Sequence, residues 1–194
     1  MNLQSRVVNI LTKPKEEWPV IVGEGGSIPG VYSGYVMPLA AIPSICTFIG
    51  MTIFGMTMPL IGTYRMSFAH GLTTAVFSYV LALVGVYLAA FVLQKLAPTF
   101  QSEPNLVQAF KLVAYASTPS WVAGVLYLIP QLGLLVLLAG LYGIYLFYLG
   151  VTPLMKTPQE KVIPYMIVAA VVVIVVAVVM AAISSALTAA FFGI

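Results

Sequence analysis

The chain has 194 residues, 61% of them apolar and only 7% charged: eight Lys or Arg against five Glu, with no Asp. A soluble globular domain devotes about a quarter of its residues to charge. This chain cannot cover a water-facing surface, and a mean hydropathy of +1.07 makes lipid the solvent for most of it. The composition excludes a soluble enzyme, a secreted disulfide scaffold and a disordered tail. A net charge of +3 is too small and scattered to point to nucleic acid.

Residues 2–12, NLQSRVVNILT, set Leu3, Val7, Ile10 and Leu11 on one helical face, with Arg6 and Asn9 on the other. That pattern predicts a short amphipathic helix in the headgroup plane. Pro14 breaks it, and KEEWPVIVGEGG reads as a second interfacial segment with Trp18 at the depth indoles prefer. The plain account of this 1–30 tail is an anchor with no ligand. The sharper one is that Glu16, Glu17 and Glu24 cap or gate an opening between the spans. Pro19 and the glycines at 23, 25 and 26 would let such a segment move.

A membrane helix needs roughly 20 apolar residues, and the rest of the chain, 31–194, supplies five such stretches. The first, about 31–58, is uncharged and carries Pro38, Pro43 and Cys46. It begins too late and runs too long for a cleavable signal, and the lone cysteine allows no intramolecular disulfide. The second, about 67–94, lies between Arg65 and Lys95. An uncharged run follows Lys111 as far as Val151, which as one helix would be about 60 Å, twice the core thickness. It must turn back at Ile129-Pro130-Gln131, giving a third span of about 112–129 and a fourth of about 132–150. The fifth, about 162–192, is longer than the core and tilts or overruns it.

Charge orients these spans. With the amino terminus inside, the inner segments carry seven of the eight Lys and Arg and all five Glu, and the outer segments carry only Arg65. This is the positive-inside pattern, and it leaves the carboxyl terminus outside.

Helices in lipid meet along small residues. The second span offers Ala75, Ser78, Ala82, Gly85 and Ala89; the fourth offers Gly133, Gly140, Gly143 and Gly150; the fifth offers Ala177, Ala181, Ser184 and Thr188. These seams serve contacts within one chain or between copies. Pro43 and Pro119 fall at comparable depth, and each frees a carbonyl that must find another partner. Tyr115, Ser117, Thr118, Ser120 and the tyrosines at 142, 145 and 148 can supply one, as plain kink satisfaction. The sharper reading is a polar cavity built from Pro43, Tyr115, Ser117, Thr118, Pro119 and Tyr145, where broken helices present carbonyls to a ligand. Arg65 and His70 form an outer ionisable pair. An ionisable group inside a span suggests function, although here both lie close enough to the interface for Arg65 to snorkel.

The run from Tyr115 to Tyr165, with YASTPSW and GLYGIYLFYLG…LMK, resembles bacterial proteins of the Yip-domain (Ypt-interacting protein) family. So do the amino-terminal KPKEEW and the YVMPLAAIPSICTFIG of the first span. The resemblance covers nearly the whole chain. It implies an all-α integral membrane domain of five helices with a cytoplasmic amino terminus, placed in the cell (inner) membrane. Eukaryotic members bind prenylated Rab-type GTPases, but their Asp-Leu-Tyr-Gly-Pro motif is absent here, so that binding does not carry over.

The sequence holds no HExxH, GxSxG, CxxC or Walker loop. No catalytic residue, metal or cofactor is therefore expected. The expected function is non-catalytic: a multi-pass protein that organises membrane or binds lipid, a second copy or another membrane protein. The alternative is a small ion or solute transporter, channel or scramblase using the Pro-broken first and third spans. Against that alternative, no acid lies within a span, and five spans do not divide into paired repeats.

Overall fold

The computed structural model describes residues 2–58 and 62–192, and apart from one small hairpin its elements are helical. Helix α1 (Leu3–Thr12) starts on Asn2, whose side chain accepts the Ser5 N–H at 3.1 Å. Pro14 does end α1, but it also opens α2 (Pro14–Gly23), where a missing N–H costs nothing.

The first long apolar helix runs over Ile28–Phe54. It comprises α3 (Ile28–Val31), a π turn (Tyr32–Val36), α4 (Met37–Ile49) and a second π turn (Gly50–Phe54). Pro38 cannot donate into the ladder, and its ring crowds the carbonyl four residues back. The first π turn, just ahead of it, opens the ladder there: the Met37 N–H reaches back to the Tyr32 carbonyl. The helix stops short of the expected Met58. At 27 residues it is already about 40 Å long. The chain leaves it through Gly55 (φ 77°), and β1 (Met56–Met58) pairs antiparallel with β2 (Gly62–Tyr64).

Helix α5 (Phe68–Leu96) is capped by Ser67 and continues in a 3-10 turn to Phe100. The third expected span is not one helix. It consists of α6 (Leu106–Ala116), α7 (Thr118–Ala123) and a 3-10 turn (Gly124–Leu128), broken at Ser117, with Pro119 in the first turn of α7. A kink was expected from Pro119; the break arises because the proline's favoured place is a helix start. The turn at Pro130 leads into α8 (Gly133–Met155), and α9 (Gln159–Phe192) ends the described chain. Among the described residues, four apolar helices are thus long enough to cross a membrane unbroken: 28–54, 68–100, 130–155 and 159–192.

The broken segment has a definite register. A Cβ placed on Gly133 would touch the Tyr127 ring at 3.4 Å, and one on Gly140 would meet the Ser120 hydroxyl at 3.6 Å. On Gly143 it would strike the Ala116 carbonyl at 2.7 Å, and on Gly150 it would strike Leu112 at 2.8 Å. The segment therefore lies antiparallel along α8, and all four glycines of the predicted seam serve contacts within the chain. It runs parallel to the first long helix, where Gly124 abuts Pro43 and Gly50 abuts the Tyr127 carbonyl. The α5 and α9 seams also meet each other: Gly85 faces Val176 and Met180, and the Ser78 and Ser184 hydroxyls bond at 3.0 Å.

The packed core sits at one end of the bundle. Ile10, Trp18, Ile21, Leu93, Phe110, Leu112, Leu146, Met155 and Tyr165 are all essentially fully buried. They come from α1, α2, the end of α5, the middle of α6, the second half of α8 and the start of α9. A polar clasp closes the same end. There the Ser102 and Thr157 hydroxyls pair at 2.8 Å, the Glu103 N–H donates to the Met155 carbonyl at 2.8 Å, and Lys156 reaches the Glu103 carboxylate at 2.6 Å. Elsewhere the helices turn large apolar side chains outward, as at Leu134, Leu137, Leu141, Ile174 and Val178.

Candidate functional site

Polar chemistry gathers where α1 and α2 dock on the bundle. Arg6 is 5% exposed, a correction to the expectation that it lies on the outer face of α1. At 100° per residue it stands about 40° from Ile10, and Ile10 is fully buried. Turned inward, the guanidinium donates one nitrogen to the Glu17 carboxylate and the other to Glu24. Asn9 completes Glu17 at 3.1 Å. The guanidinium also lies 5.6 Å from the centroid of the Tyr115 ring, within cation–π range.

Helix α6 delivers the second cation. Asn105 caps it, accepting the Val107 and Gln108 N–H groups at 3.0 and 3.2 Å, and the helix then buries Lys111 to 3% exposure. Its ammonium donates to the Ile21 and Glu24 carbonyls at 3.1 and 2.6 Å. Tyr142 donates to the Leu11 carbonyl at 2.8 Å, and the Trp18 indole stands edge-on to Tyr115 at 6.3 Å. A pocket of about 290 Å³ remains beside these groups, lined among others by Arg6, Glu24, Gly26, Tyr35, Lys111 and Tyr115.

A buried ion pair is weak evidence for added stability, but removing one partner strands a charge at a cost of about 3–5 kcal/mol. The arrangement therefore holds α1–α2 in one place. Each carboxylate that faces Arg6 is engaged by it, and both nitrogens of the fork are used.

The residues predicted for one polar cavity are dispersed. Pro43 lines a pocket of about 210 Å³ with Ser44, Thr47 and Thr74. Tyr115 lines the pocket beside Arg6, and Ser117 lines an apolar crevice against α5 and α9. Thr118 and Pro119 are buried, and Tyr145 stands 41% exposed on α8. Of the acids, Glu17 and Glu24 converge on Arg6, while Glu16 is exposed. Arg65 donates to the Phe54 carbonyl at 3.4 Å, and the His70 ring stacks on Phe192 at 4.9 Å, so the outer pair splits between two partners. No group of three His, Cys, Asp or Glu suited to a metal occurs among the described residues. Sequence reasoning missed Arg6 and Lys111. The available signal was the position of Arg6 between Leu3 and Ile10 on the helical wheel.

The Yip1 domain family matches residues 8–182. Inner membrane protein YohC of Escherichia coli K12 is 31% identical over 160 residues, covering 81% of this chain and 82% of the relative. The YohC protein of Escherichia coli O6:H1 gives the same figures. No solved structure matches. With four long apolar helices and inner-membrane relatives, the chain is a multi-pass inner-membrane protein and belongs to the Yip1 domain family.

Proposed function

We propose that this protein is a non-catalytic organiser of the inner membrane: a five-crossing domain, amino end inside, that holds lipid or protein partners against its apolar helices. The fifth crossing is the broken α6–α7 segment. Its support is the register along α8, from Leu112 beside Gly150 to Tyr127 beside Gly133. That stretch of α8 is about 26 Å long, close to the thickness of the hydrocarbon core. The distribution of Lys and Arg supports the orientation.

One observation carries the functional reading: the charged groups buried at the packed end, Arg6, Glu17 and Lys111, all have partners. Arg6 holds Glu17 and Glu24, Lys111 holds two backbone carbonyls, and Lys156 holds Glu103. The Arg6 and Lys111 contacts act as a lock that fixes the α1–α2 hairpin as a cap. The transporter alternative gains no support from the dispersed positions of Pro43, Tyr115, Ser117 and Tyr145.

Purification in mild detergent, followed by light scattering and by ion flux in liposomes, tests this reading. The expected result is an oligomer, or a co-purifying lipid or protein, with no flux. A monomer that carries nothing with it and conducts ions would contradict it.

A further inference from the structure

Between α9 and the break in the α6–α7 segment lies a crevice of about 310 Å³, floored by α5. Ser78, Ala82, Gly85 and Ala89 form the floor, Ser117 and Trp121 one wall, and Val173, Ala177 and Met180 the other. An apolar cavity of about 150 Å³ takes up benzene, so a crevice of this size and apolar lining has room for an apolar chain.

Its hydroxyls offer little to a polar guest. Ser78 and Ser184 bond to each other at 3.0 Å, and Ser117 donates to the Val113 carbonyl at 2.8 Å. Its depth is equally telling. Along α5 it extends from Ser78 to Ala89, about 16 Å, and Ala82 is the midpoint of that helix. This is the level of lipid tails, about half the core thickness and away from the headgroups.

The crevice opens outward, and Val84 and Leu88 on α5 and Ile174, Val178 and Val179 on α9, which flank its lining at 100° per residue, are exposed. A second copy's helix, about 10 Å across, needs a wide apolar trough; the crevice is a pocket between three helices of one chain.

We infer that this crevice is a binding site for one acyl chain of a membrane phospholipid, held at mid-bilayer depth between α5, α9 and the Ser117 break. This deepens the organiser reading and rests on it only for the membrane setting. Its test uses the full chain in liposomes containing a phospholipid with a diazirine on its acyl chain, photolysed and mapped by peptide mass spectrometry. Label concentrates on the crevice-lining Ala82, Gly85, Ala177 and Met180, above its level at the outward Leu134, Leu137 and Leu141 of α8. Ala82→Phe fills the crevice, so crevice labelling falls to the α8 level while the melting temperature is kept.

Even labelling of the unaltered chain would overturn the inference, whether or not Ala82→Phe folds. So would crevice labelling that survives in a folded Ala82→Phe, or cross-linking of Ala177→Cys between two copies in a Cys46→Ser background. A partner-free monomer that conducts ions yet labels in the crevice sinks the organiser reading alone; a non-conducting oligomer without crevice label sinks the acyl site alone.

Discussion

Tyr35 and Thr118 join the first long helix to the break in the third across a hydroxyl–hydroxyl bond of 2.7 Å. Thr118 commits its own proton to the Tyr115 carbonyl, also at 2.7 Å, so Tyr35 is the donor between them. The carbonyl freed near Pro119 is thereby satisfied locally, as a buried backbone carbonyl requires.

This chain of bonds sets a graded prediction. Tyr35→Phe removes one hydroxyl contact and lowers stability by about 1 kcal/mol, the scale of hydrogen bonds between membrane helices. Thr118→Val also strands the Tyr115 carbonyl and costs more, about 1–3 kcal/mol. Unfolding in mixed micelles measures both, with Thr118→Val below Tyr35→Phe below the parent.

The Arg6 lock predicts a rescue. Arg6→Leu leaves Glu17 charged and buried, with an expected loss of about 3–5 kcal/mol and protease sensitivity throughout residues 1–26. Adding Glu17→Leu removes the stranded charge and recovers most of that loss, since Glu24 is part-exposed and turns to water. A double variant no better than Arg6→Leu would mean that the two groups do not act as a pair.

Gly150 tests how the hairpin is seated. A Cβ there would lie 2.7 Å from the Trp18 indole and 2.8 Å from Leu112. Gly150→Leu overpacks the junction by about 1–3 kcal/mol and lifts α2 from α8. The expected sign is a Trp18 fluorescence spectrum shifted to the red, read in a Trp121→Phe background. Gly34→Leu, where a Cβ meets nothing within 4 Å, leaves the spectrum unchanged.

Much of the fold was legible because charge is so sparse here. Most of the charged residues mark a loop or a helix end, Arg6 within α1 and Lys111 within α6 being the exceptions, and the apolar runs between them set helix lengths within a few residues. Ile129-Pro130-Gln131 was readable as a turn for the same reason, since 40 uncharged residues exceed any single crossing. What stayed hidden depends on contacts between distant segments. Nothing local shows that Arg6 would find Glu17 and Glu24, that Lys111 would reach the Ile21 carbonyl, or that Tyr35 would meet Thr118 across 83 positions. The apolar run of the first span extends over β1 because Met56 and Met58 are apolar, and hydropathy cannot tell a strand from the end of a helix. The expected polar cavity does not form as one because Tyr115 and Thr118 both turn to Tyr35 of the first long helix while Ser117 faces α5 and α9, and Pro43 lines a separate pocket.

The central claim is that the broken segment α6–α7 crosses the bilayer. Periplasm-active and cytoplasm-active reporters fused after residues 105, 131, 157 and 194 test it directly. The account predicts inside, outside, inside and outside. A junction at 131 that reports inside, with residue 194 on the same face as the amino terminus, would reduce the crossings to four and contradict it.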